Sequence, residues 1–293
     1  VRVGSAQMEN HIFFGNGGSN PYKYNGTNFT RHGVNVPSNT ASYVTGAAGN
    51  PSGAYTYKFV NVNSASVRGN PSSASTTITV ASTKIELTSI PVAPQSHGVS
   101  SREIYRTVTS GSTWFLLTTL NDNTTTTYSD NTADASLGAA APSDKGLPPN
   151  YSTIIYHQNR LFMNDGSNGQ LVWYTDLNEP YTVGALSFLT IGDGSTDLVK
   201  GFGVQDSNLV VFGERNIWIV YMPDTTVSNW KIVKANASYS SKSPYGIFNY
   251  NNKLAYPAMQ NDKFVGIAAL AGGTQEPTTT YLTMLAAGGE TKS

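Results

Sequence analysis

Four short segments of this chain share one pattern: a turn-forming polar residue, a long or polar residue, and then a strand led by an aliphatic side chain. They are Asn10-His11-Ile12-Phe13-Phe14-Gly15, Asn159-Arg160-Leu161-Phe162-Met163, Ser207-Asn208-Leu209-Val210-Val211-Phe212-Gly213 and Asn252-Lys253-Leu254-Ala255-Tyr256. Aligned on the aliphatic residue, the last three lie 48 and 45 positions apart, close to the roughly 40 to 50 residues of a four-stranded β-propeller blade. A unit of that size cannot bury its own apolar face, so it must stack on the next. Any all-β chain also places short strands at similar intervals, so the period alone leaves a non-repetitive β fold open. The first segment breaks the period, because Ile12 precedes Leu161 by 149 positions, one blade length plus about 100 residues. A domain-sized insertion accounts for the excess.

The stretch from about Thr45 to Gly146 supplies that insertion. Tyr55, Tyr57 and Phe59 alternate onto one face, and Ile78 and Val80 alternate with threonines, as half-buried antiparallel strands do. Further strand runs are Lys84 to Ile90, Glu103 to Val108 and Thr113 to Leu120. Turn-rich flanks, Gly46-Ala47-Ala48-Gly49-Asn50-Pro51 and Gly138-Ala139-Ala140-Ala141-Pro142, bound the stretch. About 100 residues with strands at such spacing predict an immunoglobulin or fibronectin type III-like sandwich, with Trp114 in its core. Beyond the insertion, strand runs occur at Thr153 to Met163, Gln170 to Tyr174, Asn208 to Phe212, Ile217 to Tyr221 and Trp230 to Val233. No stretch of a dozen residues keeps helical apolar spacing. The expected architecture is therefore all-β: a first propeller blade over 1–44, the inserted sandwich over 45–146 and further blades over 147–293, as a partial or few-bladed β-propeller-like domain.

Composition narrows the function classes. Lys plus Arg and Asp plus Glu are both 18 in 293 residues, and charged residues are 12% of the chain. Such neutrality without a basic run argues against binding nucleic acid through phosphate neutralisation and against holding to an anionic membrane surface. The absence of cysteine excludes disulfides and thiolate metal sites. No apolar run approaches the roughly 20 residues that span a bilayer.

Chemical motifs are sparse. His11, His32, His97 and His157 are scattered, without the spacing of a zinc motif. Ser228-Asn229-Trp230-Lys231 fits S-x-x-K and Ser129-Asp130-Asn131 spells S-D-N, but in the wrong order for a penicillin-binding enzyme and without K-T-G. Asp165, Asp176, Glu179, Asp193, Asp197, Asp206 and Glu214 could supply a glycosidase-like pair. The loops Asn164 to Gly169 and Gly192 to Asp197 could offer oxygen to calcium, yet Asp-Gly is also a strong turn signal and they lack the acidic spacing of an EF-hand. Asn25, Asn28, Asn123, Asn150 and Asn236 each open an N-x-S/T triplet, as expected by chance in a chain this rich in Asn, Ser and Thr. Tyr22, Tyr24, Trp173, Tyr174 and Trp218 could stack on sugars or fill cores. No residue is assigned a catalytic, cofactor-binding or metal-binding role, and no cofactor is expected.

The opening Ile12 to Gly18 with Asn20-Pro21-Tyr22-Lys23-Tyr24-Asn25-Gly26 resembles the first propeller blade of structural tail proteins of tailed bacteriophages, of the hub, nozzle and stabilisation type. Ile104-Tyr105-Arg106-Thr107, Trp114-Phe115-Leu116-Leu117 and Thr125 to Asp130 are similar to the last strands of the fibronectin-like insertion that often follows that blade. Asn159 to Phe162, Trp173 to Asp176, Gly192-Asp193-Gly194 and Leu209 to Trp218 resemble the return into the propeller. The resemblance covers roughly residues 8 to 270 and carries no site residues. It implies a non-enzymatic virion protein of the tail, assembled as a homo-oligomeric ring with neighbouring virion proteins, without free nucleic acid or membrane as partner. About four blade-like units, a tail from Ala268 that reads poorly as a further blade, and a start at Val1 suggest a piece of a longer protein. The alternative is a carbohydrate-binding or host-adhesion module, with host-surface glycan as its partner.

Overall fold

The computed structural model describes residues 3–18, 20–192, 197–235, 239–250, 253–260, 263–271 and 278–282. It is all-β, with short antiparallel strands and, among the described residues, no helix longer than a single 3-10 turn. The strands are β1 (Gly4–Met8), β2 (His11–Gly15), β3 (Tyr22–Tyr24), β4 (Phe29–Arg31), β5 (Ser42–Ala48), β6 (Gly53–Tyr55), β7 (Tyr57–Asn63), β8 (Ile78–Val80), β9 (Thr83–Thr88), β10 (Val99–Thr107), β11 (Trp114–Leu120) and β12 (Tyr128–Asp130). They continue as β13 (Ile154–His157), β14 (Arg160–Asn164), β15 (Leu171–Tyr174), β16 (Phe188–Thr190), β17 (Val199–Gln205), β18 (Asn208–Gly213), β19 (Ile217–Tyr221), β20 (Lys231–Lys234), β21 (Phe248–Tyr250), β22 (Lys253–Gln260), β23 (Lys263–Ala271) and β24 (Thr278–Leu282). Four sheets have four strands each in sequence order: β1 to β4, β13 to β16, β17 to β20 and β21 to β24. Two sheets have three strands, β11-β10-β7 and β12-β9-β5, and β6 pairs with β8 alone.

The four recurring segments fall on β2, β14, β18 and β22, the second strand of each four-stranded sheet. Their polar leader belongs to a two-residue hairpin loop, because His157 pairs with Arg160 and Gln205 with Asn208. Gln158 and Asn159 have φ of 46° and 58°, and Asp206 and Ser207 have 47° and 65°. Two successive positive φ values make the turn whose twist matches the flanking strands. Met8 pairs with His11 across a similar loop in which Glu9 has φ of 52°. Asn252, the leader of the fourth segment, lies outside the described residues. The run Thr153 to Met163, expected as one strand, is two: the glycine-free turn at Gln158-Asn159 folds it into β13 and β14.

Two compact units result: Val1–Pro21 with Pro149–Pro180 and Ser187–Ser293, and Tyr22–Pro148 with Tyr181–Leu186. In the first, consecutive sheets pack face to face. Phe162, Val172 and Tyr174 of the β13–β16 sheet meet Val199, Leu209, Val211, Trp218 and Val220 of the β17–β20 sheet. The opposite face of that second sheet presents Val210, Phe212, Ile217 and Ile219 to Leu254, Tyr256, Ala258, Ala268 and Leu270. Alternate residues of β18 thus point into different cores, as the period-two pleat requires. Each fully buried aliphatic or aromatic side chain contributes about 1.5–3 kcal/mol. Leu161, Leu209 and Leu254 are buried, whereas Ile12, at the same repeat position, is 37% exposed and Phe13 beside it is buried instead. Glycines let backbones close in: a Cβ on Gly15 would overlap the Tyr151 ring, and one on Gly203 would overlap Leu254. Of the stretch from Ala268 that read poorly as a further blade, residues 268–271 and Thr278–Leu282 pair in the fourth sheet as part of β23 and as β24, and the rest lies outside the described residues.

In the second unit, the two three-stranded sheets enclose one apolar cluster: Tyr55, Tyr57, Phe59, Val80, Ile85, Leu87, Ile90 and Ile104. The three aromatics expected on one face are all in it, although a break at Thr56 divides them between β6 and β7. Trp114 is outside this cluster. It is half-buried on the outer side of β11, with the Lys58 ammonium 3.8 Å above its ring and its indole N–H donating to Thr56 Oγ1 at 3.1 Å.

Candidate functional site

The loops that join successive strands and sheets of the first unit converge on a cavity of about 510 Å3. Asn16 follows β2, Ser152 leads into β13, Asn164 ends β14, Lys200 belongs to β17, and Lys242 and Tyr245 precede β21, so all four successive sheets contribute to the wall. Lys200 is placed by an irregularity in its strand. Val199 pairs with Gly213 and Gly201 with Phe212, so Lys200 is one residue too many for the ladder. A bulge of this kind re-aims the side chain it carries, here into the cavity wall.

Most other polar groups around the cavity are committed. Asp165 Oδ1 accepts the backbone N–H of Ser167 at 2.7 Å and of Asn168 at 3.0 Å, and its Oδ2 accepts the Trp173 indole N–H at 2.9 Å. Asn164 Oδ1 accepts the N–H of Ser152 and of Thr153, both at 2.9 Å, while its amide donates to Ser152 Oγ at 3.2 Å. Lys242 pairs with Glu214 at 3.2 Å. Asn16 Oδ1 accepts from Gly18 N–H at 2.9 Å, and its amide N–H groups have no hydrogen-bond partner among the described residues.

Of the carboxylates singled out from sequence, Asp165, Asp197 and Glu214 are each committed to partners that hold the fold. Asp197 is buried and accepts three hydrogen bonds, from Arg215 N–H at 2.9 Å, Asn216 Nδ2 at 2.9 Å and Trp218 Nε1 at 3.0 Å. It staples the β18–β19 turn. Asp165 holds its own turn as just described, Asp176 and Glu179 face each other across a backbone bridge, Asp206 sits in a hairpin turn, and Glu214 is spent on Lys242. Asp193 lies outside the described residues, as does most of the loop it belongs to. Among the described residues no group of three His, Cys, Asp or Glu side chains could hold a metal ion.

The remaining candidates have structural partners too. His157 Nε2 donates to the Ser207 carbonyl at 2.8 Å; burial lowers its pKa and that carbonyl partly offsets the shift. His97 is likewise lowered, first by burial and then by Arg31. His11 lies 6.0 Å from the Phe13 ring, and His32 is buried. Asp130 of the S-D-N string accepts from Tyr57 OH at 2.8 Å and from Arg106 at 2.6 Å. Ser228 of S-x-x-K lies in a 3-10 turn and Lys231 opens β20, so no helix presents the pair. Asn25 and Asn123 use their side chains on neighbouring backbone, Asn28 follows in the turn that Asn25 caps, Asn150 Oδ1 accepts Asn20 N–H at 3.0 Å, and Asn236 lies outside the described residues.

Among the aromatics, Trp218 is 5% exposed and so cannot stack on a sugar. Tyr174 is buried beside Trp230, its centroid 5.5 Å away, and 5.6 Å from the Arg160 guanidinium. Trp173 packs against Phe188 with the rings tilted, and Tyr22 and Tyr24 both pack on Phe29. Sequence reasoning singled out neither Lys200, Lys242 nor Tyr245. The only local sign was a charged residue inside the otherwise apolar and glycine run Leu198 to Val204. No family model matches the chain, and no curated protein matches it in sequence.

Proposed function

We propose that this chain is a structural protein of a bacteriophage tail, of the hub, nozzle or head-to-tail adaptor kind, that works by assembling through protein–protein contacts. In this reading each four-stranded sheet is a propeller blade and the two-sheet unit is a fibronectin type III-like insertion after the first. The observation that carries it is the order of parts: one meander, a separate two-sheet unit, then three meanders, with the same short segment on the second strand of each meander. That order is the one the resemblance to tail proteins implies. The chemistry is consistent with a scaffold. Carboxylates that could have served a reaction hold turns or cations instead, and low net charge spares like subunits mutual repulsion at close approach.

Mass spectrometry of purified phage particles, with sedimentation of the isolated full-length protein, tests the proposal. The protein is expected in the particles and as an oligomer in solution. Its absence from particles together with a monomeric sedimentation coefficient would overturn the reading.

A further inference from the structure

We infer that the cavity of the first unit binds a monosaccharide-sized carboxylate bearing several hydroxyl groups, that is, an acidic sugar residue. The inference stands apart from the assembly proposal and does not need it. A volume of about 510 Å3 falls within the roughly 300–1,000 Å3 of small-ligand clefts. Of the two lysines in the wall, Lys242 is compensated by Glu214 at 3.2 Å, and the single lining carboxylate, Asp165, is saturated by two backbone N–H groups and an indole. Lys200 has no carboxylate within ion-pair distance among the described residues, and the bulge in β17 aims it at the cavity. One uncompensated ammonium suits a monoanion. A phosphate or nucleotide would call for several cations or a nest of backbone donors.

The rest of the wall distinguishes a sugar from a simple acid. Ser152 accepts from Asn164 through Oγ and retains its O–H as a donor, and Asn16 retains its amide N–H groups. These are groups for sugar hydroxyls. Tyr245 is 51% exposed at the rim, and aromatic side chains of this kind contact the apolar side of a pyranose ring.

The test is calorimetric or saturation-transfer titration of the purified full chain with glucuronic acid and N-acetylneuraminic acid, against glucose and acetate. At least one acidic sugar is expected to bind saturably, with glucose and acetate at least tenfold weaker. K200Q should weaken acidic-sugar binding about tenfold or more, as the loss of a charge-assisted hydrogen bond requires, while K200R keeps it within about threefold. N16D, at an exposed loop position, places a second negative charge in the wall and should also weaken binding, independently of any effect of K200Q on folding. No saturable binding of either acidic sugar would overturn the inference. So would equal binding of glucose, or binding unchanged in both K200Q and N16D.

Discussion

Arg106 is wholly buried, and its guanidinium donates to Asp130 at 2.6 Å and to Asp134 at 2.7 Å, while the Tyr57 hydroxyl donates to Asp130 from the other side at 2.8 Å. Removing the cation leaves a buried carboxylate uncompensated, so R106A should lower the stability of this unit by about 3–5 kcal/mol in urea denaturation. Lys23 carries the opposite lesson. It is 4% exposed, donates to the Arg31 carbonyl at 2.7 Å, and burial pushes its pKa down to about 8 from 10.5. Below pH 8 both states hold the proton and the folded state carries the cost of burying it. Between about pH 8 and 10.5 the unfolded chain binds more protons, so stability rises with pH across that window. The urea midpoint is expected to climb from pH 8 to pH 10 and to stay flat there in K23M. Beyond pH 10 the buried Tyr57, Tyr105 and Tyr151, whose pKa values burial raises, reverse the trend. In the sequence Tyr22 and Tyr24 could stack on sugars or fill a core, and nothing there marked Lys23 as the inward residue. The lysine faces in and the tyrosines are half-exposed, because the Arg31 carbonyl offers the ammonium a partner and Phe29 gives the rings a shelf.

At the scale of the strand and the sheet, the second strands stood out because β14 and β18 are apolar on both faces and enter from two-residue polar turns. Their neighbours were harder to read. β17 carries Gly201 and Gly203, which weaken a strand signal yet permit the next sheet to approach: a Cβ at Gly203 would overlap Leu254, and one at Gly201 would sit 2.8 Å from Ile247. G203A should therefore cost about 1–3 kcal/mol through overpacking, read as a lowered urea midpoint. The same substitution at Gly26, where a Cβ meets nothing but φ is +91°, separates backbone strain from sheet-to-sheet crowding. Asp197 illustrates how a loop carboxylate misleads. In sequence it belonged to a cluster of candidate acids, and in the fold it ties Arg215, Asn216 and Trp218 to one turn. The indole it binds is then no longer a sugar platform.

At the scale of the molecule, the 149-residue gap raised the expectation of an inserted unit, whereas the cavity did not follow from any segment. Asn16, Ser152, Lys200 and Tyr245 lie in or beside strands of four different sheets and meet only when those sheets lie in order. Nothing local marks residues whose proximity depends on every intervening hairpin. The scaffold reading places function in the surfaces that such sheets present to other copies, so its most direct test is an image. Negative-stain electron microscopy of the purified full-length protein is expected to show closed rings of uniform diameter, whereas unassociated single particles throughout the micromolar range would contradict it.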